Sequence, residues 1–156
     1  MRYSFEAIND LGRMPLAGKL MNLVEFSPHY GEAVAELYGQ LLTLFGEPVY
    51  TTQSLEDAYC YIILTRGEDR SEHILNVYEG SSGPAIGGEN SAHDAALELK
   101  KYIGSAQPTD YEYEGYYFDG PTKIRRGVKD GKAFYSEAEI SFEESEQAYK
   151  ELYPDR

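Results

Sequence analysis

The chain has 156 residues, 42% of them hydrophobic and 26% charged, enough length and apolar content to bury a real core. These values exclude collagen-like, coiled-coil and wholly disordered classes. Lys and Arg number 14 against 27 Asp and Glu, and the net charge of −13 repels nucleic acid and anionic membrane, whose phosphates need basic side chains.

Segment 4–24 places Ile8, Leu11, Leu16, Leu20, Leu23 and Val24 at spacings that read as helix, interrupted by Gly12, Pro15 and Gly18. Pro15 suits the first turn of a second short helix. The next helix is clearer. Ser27 is placed to cap it, Pro28 sits in its first turn, and Val34, Leu37, Leu41, Leu44 and Phe45 recur at helical spacing. Gly46 and Pro48 stop it. Segments 48–52, 56–66 and 72–79 then turn to Tyr, Ile, Val and Thr and read as strands, with 67–71 as a hairpin turn. Both alternating faces of 59–65 are apolar, which predicts a central strand covered on two sides.

Residues 80–90 are rich in glycine and read as a loop that includes Gly83, Gly87, Gly88 and Glu89. Backbone N–H groups before a helix are able to cradle an anion. The segment lacks the Gly-Lys-Ser/Thr ending of a phosphate loop, and Glu79, Glu89 and Asp94 oppose an anion there. A plain strand-to-helix connection, with Ile86 plugged into the core, is the preferred reading. Ser91 to Asp94 has the form of a capping box, and the helix after it should bury Ala95, Ala96, Leu99, Tyr102 and Ile103 before Gly104 ends it.

The last third returns to strands. Residues 110–118 alternate Tyr with acids, and 122–129 and 132–140 flank Asp130-Gly131, a strong hairpin signal. A two-residue turn pairs Arg126 with Tyr135 and Val128 with Ala133; a three-residue loop pairs Lys123 with Glu137 and Arg125 with Tyr135, and exchanges the faces. Ser141 to Glu144 is a second capping box, opening a helix to about Leu152. The predicted fold is α+β and spans 1–156 as a single domain, in the order αα-βββ-α-βββ-α. About five or six mainly antiparallel strands pack against three or more helices. The two βββα stretches share no residue pattern that argues for duplication.

Chemistry-bearing motifs are scarce. Cys60 is the only cysteine and lies in an apolar strand, so a buried inert thiol in a reducing compartment is expected. His29, His73 and His93 fall on different elements, without ligand spacing. No nucleophile elbow occurs. Glu112 and Glu114 share one strand face, but nothing in the sequence raises either pKa. No catalytic residue, metal or cofactor is expected. The N-terminus has no continuous apolar run, and no stretch is long enough for a membrane span, so a cytoplasmic protein is expected.

Tyrosine is the better clue. There are 15 Tyr and no Trp, and Tyr111, Tyr113, Tyr116, Tyr117 and Phe118 cluster among Asp110, Glu112, Glu114 and Asp119. Alternation cannot bury all five rings. Tyr beside carboxylates makes a surface for Arg and Lys. The competing reading is internal: Lys123, Arg125, Arg126, Lys129 and Lys132 on the next hairpin neutralise these acids within the sheet. Glu137, Glu139, Glu143, Glu144 and Glu146 add five acids without a base. In kind, though not by motif, the chain resembles small acidic α+β proteins that neutralise basic bacterial toxins. The first expectation is therefore a non-enzymatic binding protein that docks on a basic protein, like an immunity protein or inhibitor, through Glu112, Tyr113, Glu114 and Tyr116. The alternatives are a small-ligand module or enzyme built on loop 80–90, and an oligomeric structural protein that buries tyrosines at a self-interface.

Overall fold

A computed structural model describes residues 3–8, 21–26, 31–48, 61–80, 83–118 and 120–154. Its elements are β1 (Tyr3–Ala7), β2 (Met21–Glu25), α1 (Glu32–Phe45), β3 (Tyr61–Gly67), β4 (Glu72–Gly80) and β5 (Gly83–Gly88). After a 3₁₀ turn at Asn90–Ala92 come α2 (His93–Gly104), β6 (Tyr111–Tyr117), β7 (Thr122–Lys129), β8 (Lys132–Glu139) and α3 (Phe142–Leu152). The class is α+β with antiparallel pairing throughout the described strands, but in two sheets. Five strands run in the order β1-β3-β4-β5-β2, and three in the order β6-β7-β8.

The first sheet corrects two expectations. Residues 4–7 and 21–24, expected as the two ends of the opening helical segment, instead belong to β1 and β2, the two edge strands of this sheet; residues 9–20, where the sequence places a second short helix at Pro15, lie outside the described residues. In β1, Tyr3, Phe5 and Ala7 are half-buried while Ser4 and Glu6 are exposed, a period of two set by pairing with β3. The glycine-rich segment is not a loop: residues 83–88 are a strand between β4 and β2. Its sequence has poor strand propensity, and tertiary packing overrides it. A Cβ on Gly88 would sit 2.8 Å from Leu75 Cδ2 and 3.1 Å from Leu23 Cδ1, so the small residue admits its neighbours. Ile86 is fully buried in the core.

The two-sided cover predicted for β3 is present. Ile62 and Ile63 point to opposite faces and both are fully buried. On one face Tyr61, Ile63, Leu75, Val77 and Ile86 form the core with Val34, Leu37 and Leu41 of α1 and Ala95, Ala96, Leu99 and Ile103 of α2. The buried stripe of α2 matches its periodicity. Its start does not match the proposed capping box: Ala92 is the cap residue and no side chain caps the helix. Ser141 does cap α3, its hydroxyl accepting the Glu144 N–H at 3.1 Å. The proposed cap Ser27, His29, the strand residues 49–52 and 56–60, and Cys60 lie outside the described residues.

Helix α1 is buried on two sides and joins the sheets. Beyond its apolar stripe, Ala35, Tyr38 and Gly39 face the second sheet. The Tyr111 hydroxyl donates to the Ala35 carbonyl at 2.8 Å, and the Thr109 N–H donates to the Gly39 carbonyl at 2.9 Å. A Cβ on Gly39 would lie 2.7 Å from Pro108 Cβ and 2.9 Å from Val128 Cγ2. The chain approaches this helix as closely as only glycine allows.

The second hairpin takes the two-residue turn. Asp130 and Gly131 have φ of 53° and 78°, both left-handed, as a type I′ turn requires. Arg126 pairs with Tyr135 and Val128 with Ala133. That register decides which residues meet α1. Tyr111, Tyr113, Val128 and Arg126 face the helix, and Glu112, Glu114, Lys123 and Arg125 face away.

Candidate functional site

The four residues proposed for partner contact do not share one surface. Glu112 and Glu114 are exposed on the outer face of β6, and both have cationic neighbours. Glu112 pairs with Arg125 and accepts from its Nε at 3.1 Å. Glu114 lies 3.5 Å from Arg125 Nε and 3.6 Å from Lys123 Nζ. The premise of unpaired acids is therefore corrected: the hairpin neutralises them, as cross-strand neighbours of opposite charge do. The same pairing raises the Arg125 pKa, through its hydrogen bond to Glu112 first.

Tyr113 lies on the opposite face, half-buried against the core. Its ring and that of Tyr38 hold the guanidinium of Arg126 between them, at 4.9 Å from each centroid. Arg126 is only 3% exposed. Two flat rings and a flat cation stack well, which a lysine ammonium cannot reproduce. Tyr113 is thus a structural clamp and not part of an exposed patch. Tyr116, also half-buried, stacks on Phe118 at 6.0 Å; Phe118 meets Tyr149 of α3 edge-on at 5.1 Å, and Tyr149 meets Tyr153 at 5.0 Å. This ring chain ties α3 to the end of β6.

The glycine-rich segment offers no anion cradle in its described part. Gly87 and Gly88 are buried and paired in a sheet interior, and Glu89 is exposed after the strand ends. Among the described residues no group of His, Cys, Asp and Glu is arranged to hold a metal. A groove of about 770 Å³ lies instead at the hairpin end of the second sheet, lined by Tyr111, Glu112, Arg125, Lys129, Lys132 and Phe134 among others. The Asp110 carboxylate beside it accepts the N–H groups of Asp130 and Gly131 at 2.8 and 3.1 Å, fixing the turn. Acids and bases line this groove in equal number, so it favours neither sign of ligand.

The acidic, aromatic surface lies at the other end of the same sheet. On the α1 face, the row Tyr113–Arg126–Tyr135 is followed by Gly115–Ile124–Glu137 and Tyr117–Thr122–Glu139. Cover by α1 ends along this face. Ser136, Glu137, Ala138 and Glu139 are all exposed, Tyr117 is 44% exposed, and Phe142 at the start of α3 is 75% exposed. Tyr135 is half-buried between covered and open halves. Burial raises its pKa most, and its hydrogen bond to Glu137 adds to the rise. Glu143 and Glu144 continue the acids into the first turn of α3, where the helix dipole favours them. The five-acid run was visible in the sequence. That Glu137 and Glu139 share a face with Tyr117 was not, because that depends on the registers of β6 and β8 on β7.

Comparison with protein-family models, curated proteins and solved structures finds no match to this chain. Among the described residues no helix is long and apolar enough to cross a membrane.

Proposed function

We propose that the chain is a non-enzymatic binding protein that docks on a basic protein, with its contact surface at the open end of the second sheet. The observation that carries this reading is the exposure of Glu137 and Glu139 on the same sheet face as Tyr117, in a chain of net charge −13, with no ion pair to either glutamate among the described residues. Tyr117 and Phe142 supply rigid apolar area, and the acids supply charge steering and selection of sign. Glu112 and Glu114, already neutralised by Lys123 and Arg125, flank this surface on the other face and steer weakly. The small-ligand reading loses its glycine loop, since that segment is a buried strand.

The test is affinity capture with two baits, the natural chain and its Glu137→Lys, Glu139→Lys variant, with quantitative mass spectrometry. Basic proteins held by the natural bait and lost from the variant are the expected result. Equal capture by both baits, or capture dominated by acidic proteins, would defeat the reading.

A further inference from the structure

The mode of docking follows from the backbone of β8. This strand ends the order β6-β7-β8, and no described strand lies beyond it. The type I′ turn makes Lys129 and Lys132 a hydrogen-bonded pair, so Phe134, Ser136 and Ala138 also bond to β7. The N–H of Ile140, donating to the Pro121 carbonyl at 3.1 Å, keeps the same parity. The N–H and C=O groups of Ala133, Tyr135, Glu137 and Glu139 therefore point away from β7, along the edge.

Edges of this kind are usually blunted by proline, bulges, inward charges or short length. In the first sheet, β2 has a break in register between Asn22 and Val24, and β1 is five residues long. The edge at β8 has eight residues, no proline and an unbroken register. Its last four residues are exposed on both faces, whereas on the opposite edge Gly115 is buried and Tyr116 half-buried. A regular, open edge is a template for strand addition.

We propose that β8 takes up an extended segment of the basic partner as an added strand, antiparallel or parallel, with Lys or Arg at alternate positions. This rests on the basic-partner reading above. Side chains of an added strand alternate between faces, so cations at every second position all lie on the face of Glu137 and Glu139. A second copy of this chain is the disfavoured occupant. It brings net −13 against net −13 and joins two acidic edges.

The experiment is amide hydrogen exchange by NMR on the whole chain, alone and with a synthetic peptide of alternating Lys and Val. In the free protein the amides of Phe134, Ser136 and Ala138 should exchange slowly, and those of Ala133, Tyr135, Glu137 and Glu139 fast. The peptide should slow the second set by about tenfold or more and leave the first set unchanged. The same peptide N-methylated at every residue keeps its charge and loses the backbone donors of both edges, and it should give no such protection. Equal binding of both peptides, with loss of both on the Glu137→Lys, Glu139→Lys variant, overturns strand addition while leaving the acidic surface standing. Absence of binding by either peptide overturns strand addition, and the capture experiment then decides the basic-partner reading by itself. Protection of the odd-numbered amides in the free protein, with a dimer in sedimentation, assigns the edge to a second copy and also overturns the proposal.

Discussion

Arg125 and Arg126 are neighbours in sequence and opposites in energetics. Arg125 is half-exposed and paired with glutamates in water, where such pairs contribute little. Arg126 is buried between two tyrosine rings. Arg125→Ala should leave the unfolding free energy nearly unchanged. Arg126→Ala should cost roughly 2–4 kcal/mol, because it empties a core position and unstacks both rings. Arg126→Lys should fall between them, since an ammonium cannot stack on two planes. Urea unfolding of the three variants checks the order; equal losses at 125 and 126 would contradict the clamp. Tyrosine ionisation gives a second check. Tyr61 and Tyr135 have pKa values raised above the ordinary 10.0, by burial first in both cases. The unfolded chain releases these protons at lower pH than the folded chain. Their contribution to stability is therefore full below pH 10 and falls as pH rises above it. Absorbance titration should show tyrosines that ionise only as the protein unfolds in alkali.

At the scale of elements, α1 holds the two sheets together and Gly39 sets how closely they approach. Helix propensity favours alanine over glycine by roughly 1 kcal/mol in an exposed helix. Here the added methyl would meet Pro108, Val128 and the Thr109 carbonyl. Gly39→Ala should therefore destabilise, by about 1–3 kcal/mol, against its propensity. A rise in melting temperature would show that the contact between α1 and the connector at 108–109 yields easily. The apolar stripe of α1 was legible in its sequence because large residues recur at helical spacing. Its second buried side was not, because Ala35 and Gly39 give no hydrophobic signal and are buried only by what approaches them. The same limit applies to β5, whose glycines read as loop until β4 and β2 flank it. In the final hairpin, Asp130-Gly131 marked the turn but left two registers open, and the two-residue turn seen in the structure sets the register and both faces.

For the whole molecule the question is where the charge of −13 acts. Around Glu112 and Glu114 it is locally balanced by Lys123 and Arg125. The Glu112→Lys, Glu114→Lys variant should lose a little stability, from three new like-charge contacts with Lys123 and Arg125, with little change in partner association. The Glu137→Lys, Glu139→Lys variant should lose about 1 kcal/mol of stability, from the Tyr135 hydrogen bond to Glu137, and slow association with a basic partner by roughly tenfold at low salt. That difference should shrink at high ionic strength, where the field is screened. Stopped-flow association of both variants measures it, and an equal slowing by the two would place the steering charge over the whole surface. Binding to duplex DNA should be undetectable near physiological salt, since Lys123 and Arg125 are paired and Arg126 is buried.

The sequence by itself determined the sign of the surface, the α+β class, the three helices that carry clear apolar stripes and the final hairpin. Each of these is local: a charge count, a periodicity over a dozen residues, or a turn that only Asp-Gly satisfies. Tertiary structure alone decided that residues 3–7 and 21–25 form edge strands, that the glycine-rich residues 83–88 lie inside a sheet and that the described strands divide into two sheets around α1. It also showed Glu112 and Glu114 paired with Lys123 and Arg125, which is why the surface we propose lies at Glu137 and Glu139. Whether an acid is neutralised or free to steer depends on the side chain opposite it on the next strand, and that neighbour is set by register and packing.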